Sequence, residues 1–190
     1  MKPLSLAIAS IALCAASAVH AAPWRVLPES TLGFSATYDG DAFDGRFKRF
    51  TPVIEFDPKQ LASARFDVRI DLASADTSNG ERDGMLVGDG FFNSRKQPQA
   101  RYSCQSFRAL GGNRYLASGT LTLNGISKPV ALTFTWEAGA KTVLVGSASL
   151  KRLDFAVGTG QWNDTDLLPN EVQVKTRLVL AAPAGTPAKK

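Results

Sequence analysis

The segment from Gly119 to Trp136 reads G-T-L-T-L-N-G-I-S-K-P-V-A-L-T-F-T-W, and it constrains the fold more than any other part of the chain. Leu121 and Leu123 alternate with Thr120 and Thr122, and Val130, Leu132, Phe134 and Trp136 alternate with Ala131, Thr133 and Thr135. Period-two alternation places apolar side chains on one face of a strand and polar ones on the other. Asn124-Gly125 between the two runs is a hairpin signal, because both residues tolerate positive φ. Pro129 has no amide hydrogen to donate to a ladder, which predicts a loop longer than two residues with Pro129 near the strand start. A sheet with one apolar face must bury it, either against a solid core or around a cavity.

The same alternation recurs along most of the chain. Leu32, Phe34, Ala36 and Tyr38 mark one strand, and Gly45 to Phe56 marks a longer one with Phe50, Pro52, Ile54 and Phe56 in register. Arg65 to Leu72 is apolar at even positions and charged at odd ones. Ala100, Tyr102 and Cys104 share a face, and further strands are expected at Tyr115–Leu123, Thr142–Leu153 and Glu171–Ala181. The exception is residues 78–93, where Ser78-Asn79-Gly80-Glu81 reads as a capping box opening a short helix. Eight antiparallel strands with a single helical insert predict an all-β sandwich or closed barrel. Closure removes exposed edges, and a barrel of this size holds side chains or one small ligand.

Residues 1–21 read as a signal peptide: Lys2, then a mostly apolar run, then Val19-His20-Ala21 as a small-residue cleavage site. The expected mature chain, roughly 169 residues, suits one domain. Residues 22–182 form that domain and 183–190, rich in Ala, Pro and Lys, a loose tail. The chain's only histidine, His20, leaves with the signal, as does Cys14. Loss of histidine removes the usual general base and commonest metal ligand, hence Ser-His and Cys-His catalysis. Cys104 then has no disulfide partner within the chain. Removing Lys2 takes the formal net charge from +5 to about +4, with basic residues scattered rather than striped, which argues against nucleic acid as a partner.

Other candidate motifs have plain readings. Asn163-Asp164-Thr165-Asp166 lacks the spacing of a calcium loop and reads as a solvated turn. Cys104 reads as a small buried apolar residue; the carboxylate pairs Asp39/Asp41 and Asp67/Asp71 are of a type used in hydrolysis, but the latter sits on the polar face of its strand and reads as solvated. Arg82-Asp83 reads either as a clamp for a polar head group or as a dipole-favoured Asp83 beside a surface Arg82.

In order along the chain, Phe34, Gly45-Arg46-Phe47, Phe56-Asp57-Pro58, Glu81-Arg82-Asp83, Phe91-Phe92-Asn93, Pro98 to Tyr102, Gly119 to Val130 and Leu153-Asp154-Phe155 resemble the YceI-like family, over nearly all of residues 24–181. The resemblance implies a lipocalin-like, eight-stranded antiparallel barrel located in the periplasm. It also implies an isoprenoid chain, of polyprenyl or quinone type, held inside. Residues 158–174 resemble members associated with membrane cytochrome b561. Family histidines near Tyr38 and at Met85 are missing, so no redox contact by histidine carries over.

The expected function is binding without chemistry and without a cofactor, with oligomeric state open and a homodimer one arrangement. An apolar tail would enter a tunnel lined by Phe34, Phe56, Phe66, Val68, Ile70, Tyr102, Leu121, Leu123, Leu132 and Phe134. Arg82, Asp83, Met85, Phe91, Phe92 and Trp162 would form its mouth. The alternatives are a solid-core interaction or stress protein and an enzyme acting on such a lipid.

Overall fold

A computed structural model describes residues 22–183, so the expected signal segment and all of the tail except Pro183 lie outside the described residues. Among the described residues there are twelve strands, one α-helix and four short 3-10 turns, and all the strands belong to one antiparallel sheet. They are β1 (Arg25–Val26), β2 (Thr31–Tyr38), β3 (Asp41–Phe47), β4 (Phe50–Glu55), β5 (Arg65–Asp71) and β6 (Ala75–Asp76). After helix α1 (Gly80–Leu86) follow β7 (Gln99–Cys104), β8 (Phe107–Gly111), β9 (Arg114–Leu123), β10 (Ile126–Glu137), β11 (Thr142–Lys151) and β12 (Glu171–Ala181). The sheet runs β4-β5-β7-β9-β10-β11-β12-β2-β3-β6 and curls into the expected barrel, with β1 added to β12 and β8 to β9. The count exceeds eight because β1, β6 and β8 are short additions and one expected strand is divided.

That division falls at Lys48-Arg49. Residues 41–47 pair with β2 and β6, whereas residues 50–55 pair with β5. The amides of Lys48 and Arg49 turn instead to Ser74, donating to its carbonyl and its Oγ, each at 3.0 Å. Strand β4 is therefore an edge, which is where Pro52 fits. Its free side is met near the end by Trp24, whose amide donates to the Ile54 carbonyl and whose Nε1 donates to the Phe56 carbonyl.

The hairpin also differs from expectation. Leu123 pairs directly with Ile126, so the loop is Asn124-Gly125 alone, with φ of 52° and 75°. Pro129 lies inside β10 opposite Thr120, and it is tolerated because β10 pairs with β11 only from Thr133 onward. At Pro129 the strand has one neighbour, and no ladder bond is lost on the other side.

The cap of α1 is Asn79, not Ser78: the Asn79 side chain accepts from the Arg82 amide at 3.0 Å, and Ser78 takes a left-handed φ of 58° to turn the chain into the helix. Asp67 is not a solvated carboxylate. It is buried beneath Arg101 and Arg65, with an Arg101 Nη2–Oδ2 distance of 2.6 Å. Burial drives that pairing, because an unpaired carboxylate there would be costly.

One end of the barrel is solid. Phe56, Phe66, Phe107, Tyr115, Phe134 and Trp136 pack with centroid separations between 4.8 and 6.4 Å, mostly edge-to-face or tilted. Trp24 closes over Trp136 at 5.2 Å. Burying each such ring contributes about 1.5–3 kcal/mol, with a further increment for the ring geometry.

Candidate functional site: an apolar hollow in the barrel

The other half of the barrel is hollow, with a cavity of about 200 Å³. The inward positions of the alternating strands make the wall. Val68 and Ile70 come from β5, Leu121 and Leu123 from β9, Val130 and Leu132 from β10, and Val172 and Val174 from β12. Many of these retain partial exposure although they point inward, as side chains facing empty space must. Ile54, Phe66, Leu144 and Leu178 are both fully buried and on the cavity wall, so they form its floor above the aromatic cluster. The opposite end is covered by Leu86, Phe92, Phe155, Val157 and Leu168. The sheet is incomplete where β3 and β4 do not pair with each other, and Phe43, Phe47, Phe50 and Pro52 line the cavity on those two strands.

Two glycines shape the wall. A Cβ on Gly45 would strike the ring of Phe34, and one on Gly119 would strike the ring and hydroxyl of Tyr102. The Tyr102 hydroxyl, 3.2 Å from the Ala117 carbonyl and 3.3 Å from that of Val130, is thereby pinned to the wall. Burial, first, and its neighbour Cys104 push this hydroxyl well above the ordinary tyrosine value, so it stays neutral.

The structure places the expected tail-binding residues in two groups. Phe34, Phe66, Val68, Ile70, Tyr102, Leu121, Leu123 and Leu132 line the hollow. Phe56 and Phe134 do not: both are 1 % exposed inside the aromatic cluster, below the floor. Inward alternation gives the face of a strand and not the height along the barrel, which is why the sequence grouped them together. The lumen is correspondingly a blind pocket and not a tunnel.

The expected mouth residues divide as well. Phe91 and Phe92 line the cavity, and Trp162 stacks on Phe91 at 5.6 Å and on Tyr38 at 6.0 Å. Arg82, Asp83 and Met85 are not on the wall. Arg82 lies over the Phe43 ring at 4.1 Å and donates from Nε to Thr77 Oγ1. Asp83 Oδ1 accepts from the Thr77 amide and hydroxyl, which is a helix-anchoring role. Met85 is 40 % exposed and points away.

The charged group on the wall is Arg152, which the sequence reading passed over. It is 4 % exposed and donates to five backbone carbonyls, those of Val157, Gly158, Trp162, Leu168 and Pro169. No carboxylate pairs with it among the described residues. Burial pushes its guanidinium below the ordinary value, yet arginine stays charged, so the carbonyl dipoles carry the compensation. Both ends of the 157–169 loop are thereby gathered around one side chain. The hairpin tip adds a second clasp: Asn124 Nδ2 donates to the Phe91 carbonyl at 2.6 Å and to the Phe155 carbonyl at 3.2 Å.

Arg152, Thr176 and the Tyr102 hydroxyl are the polar side chains on the wall, and all other lining residues are apolar. Among the described residues no group of three or more His, Cys, Asp or Glu is placed to hold a metal ion. Such a lumen presents mainly shape and apolar surface to a ligand.

This combination defines a class: an antiparallel, lipocalin-like barrel with a closed aromatic end and an apolar lumen. The chain belongs to the YceI-like domain family, whose model matches residues 24–180. Protein YceI of Escherichia coli O157:H7 is 36% identical over 139 residues, covering 68% of this chain and 69% of that protein. A UPF0312 protein of Shewanella denitrificans is 29% identical over 191 residues, 94% of this chain and 96% of its own. Among solved structures, Burkholderia cenocepacia BcnA superposes with a TM-score of 0.78 at 31% identity, over 80% of this chain and 97% of that one. A polyisoprenoid binding domain from Saccharophagus degradans shares the fold with a TM-score of 0.63 at 19% identity, over 85% of this chain and 98% of that one.

Proposed function

We propose that this chain is an exported, periplasmic binding protein that holds an isoprenoid or similar long-chain apolar lipid, of polyprenyl or quinone type, for carriage, storage or scavenging. The observation that carries this reading is a hollow of about 200 Å³ walled almost entirely by apolar side chains. A lipid tail entering such a lumen gains dispersion contacts with the apolar wall along its length. The polyisoprenoid binding reported for a domain of the same fold is consistent with it. Binding is favoured over catalysis because the lumen wall carries no carboxylate, thiol or amine. The solid-core reading fits only the aromatic half. The periplasmic location follows from the export signal read in residues 1–21, and a membrane cytochrome b561-type partner from the resemblance of residues 158–174.

Solvent extraction of the purified protein followed by mass spectrometry tests the reading. A co-purified apolar lipid is expected. Protein that is empty and also fails to bind prenols or quinone analogues would sink it. Fractionation of expressing cells tests export, with the processed chain expected in the periplasmic fraction.

A further inference from the structure

We infer that the outer wall of the barrel carries a phosphate-binding site, a recess beside the break between β7 and β8 where Arg65, Arg69 and Arg101 outnumber the one carboxylate among them. The site is outside the lumen and does not depend on what the lumen holds.

An interruption of the ladder makes the recess. Strand β9 pairs with β8 over Arg114–Ala117 and with β7 over Thr120–Thr122, so Gln105 and Ser106 stand out of the sheet between them. The Ser106 carbonyl fixes this bulge, accepting from the Ser118 amide at 2.9 Å and from the Cys104 thiol at 3.2 Å. Arg65 and Asp67 of β5, Arg101 and Ser103 of β7, and Ser118 and Thr120 around the break line the recess.

Asp67 is the buried member, at 6 % exposure, and it holds the cations in place. Arg101 donates to it from Nε to Oδ1 at 2.9 Å and from Nη2 to Oδ2 at 2.6 Å, and Arg65 donates from Nη2 to Oδ2 at 3.1 Å. Both carboxylate oxygens are thereby taken. The arginine side chains stay 42 % and 52 % exposed, and each guanidinium has more N–H donors than Asp67 uses.

The charges do not balance. Arg69 sits directly across from Arg101 on the outer face and forms no ion pair among the described residues. Like charges opposite one another on neighbouring strands repel, a cost that a bound anion removes. Glu55, across from Arg65 on β4, does not line the recess, and Asp71, further along β5, pairs with Arg49. The hydroxyls of Ser103, Ser118 and Thr120 add neutral donors. A planar carboxylate is satisfied by one guanidinium fork. Donors arriving from several strands suit a tetrahedral phosphoryl group, whose terminal oxygens point in several directions.

Isothermal titration calorimetry with sodium phosphate at about pH 8, where the phosphate is dianionic, tests the site. Sodium chloride at matched ionic strength is the control. Saturable binding with a Kd of about 1 mM is expected, as befits half-exposed charges. Arg69→Gln and Arg65→Gln both leave Asp67 held by Arg101. Each should weaken phosphate binding about threefold to tenfold while leaving the melting temperature in chloride within about 2 °C of wild type. A second arm measures cosedimentation with phosphatidylcholine vesicles with and without phosphatidic acid. Retention on phosphatidic acid that free phosphate displaces assigns the site to lipid head groups, and phosphate binding without retention assigns it to soluble phosphate. No saturable phosphate binding up to about 20 mM overturns the site, whether or not vesicles bind. So does a response that chloride reproduces, or one that both arginine variants leave unchanged.

Discussion

The ring of Phe34 lies flat across the Cα of Gly45 on the neighbouring strand, in the space that any other residue at position 45 would fill with its Cβ. The cross-strand pair is thus a shelf: glycine supplies the recess, and the ring supplies cavity wall. Gly45→Ala should destabilise the protein by about 1–3 kcal/mol through overpacking. Pairing it with Phe34→Leu should recover part of that loss, because the two sites share one clash. Urea unfolding of the four proteins in this cycle measures the coupling, and strictly additive effects would remove the shelf from the argument.

Asn124 does two separable things at the hairpin tip. It adopts φ of 52° and its Nδ2 clasps the carbonyls of Phe91 and Phe155. Asn124→Gly keeps the backbone freedom and loses the clasp, which should cost about 1–3 kcal/mol. Asn124→Ala adds about 1 kcal/mol more for the left-handed conformation. Equal stabilities of the two variants in denaturant titrations would show that the backbone term is negligible.

Arg152 holds the loop that covers the cavity. Arg152→Met leaves five carbonyls without their donor and should destabilise the chain by about 3 kcal/mol or more. Hydrogen exchange is the sharper readout. Amides at Leu168 and Asn163, which close the loop locally, should lose protection before those of β12. Uniform loss of protection across the sheet would argue against a local clasp.

Acid should loosen the barrel through its outer ion pairs. The guanidinium of Arg46 and then the ammonium of Lys48 bring Asp76 down to about 2 from an ordinary 3.8, and Arg101 lowers Asp67 against the opposing effect of burial. A depressed folded-state value means the stabilisation is fully present above about pH 4 and is lost as pH falls toward 2. Asp76→Asn should flatten the stability curve in that window while leaving its neutral-pH shape unchanged, as followed by circular dichroism in urea at each pH.

Much of the barrel was legible in alternation alone, as at Arg65–Leu72, where apolar even positions face inward and charged odd ones outward. What alternation cannot give is the partner of each residue. Gly45–Phe56 reads as one strand, yet Ser74 draws away the amides of Lys48 and Arg49 and divides it. Pro129 suggested a longer loop because the missing neighbour on that side of β10 is a tertiary fact. The site was half legible for the same reason: Phe66 and Phe134 share a pattern, and only packing height separates the pocket floor from the core beneath. Arg152 did carry a signal. It continues the even-numbered inward series of Leu144, Ala148 and Leu150, so a charge falls where an apolar residue was due. Arg82, on a helix beside the barrel, had no such periodicity to place it on the wall.

The division of the barrel into a packed aromatic half and a hollow half has a consequence for how the chain can change. Substitutions among Val68, Ile70, Val130, Leu132, Val172 and Val174 alter a surface that faces space, so they disturb few packed neighbours. Substitutions at Phe56, Phe134 or Trp136 strike a cluster in which every ring touches several others. Ligand preference and folding stability are thereby written on different parts of the same strands. Changes that spare the aromatic half can therefore reshape the lumen without a loss of fold.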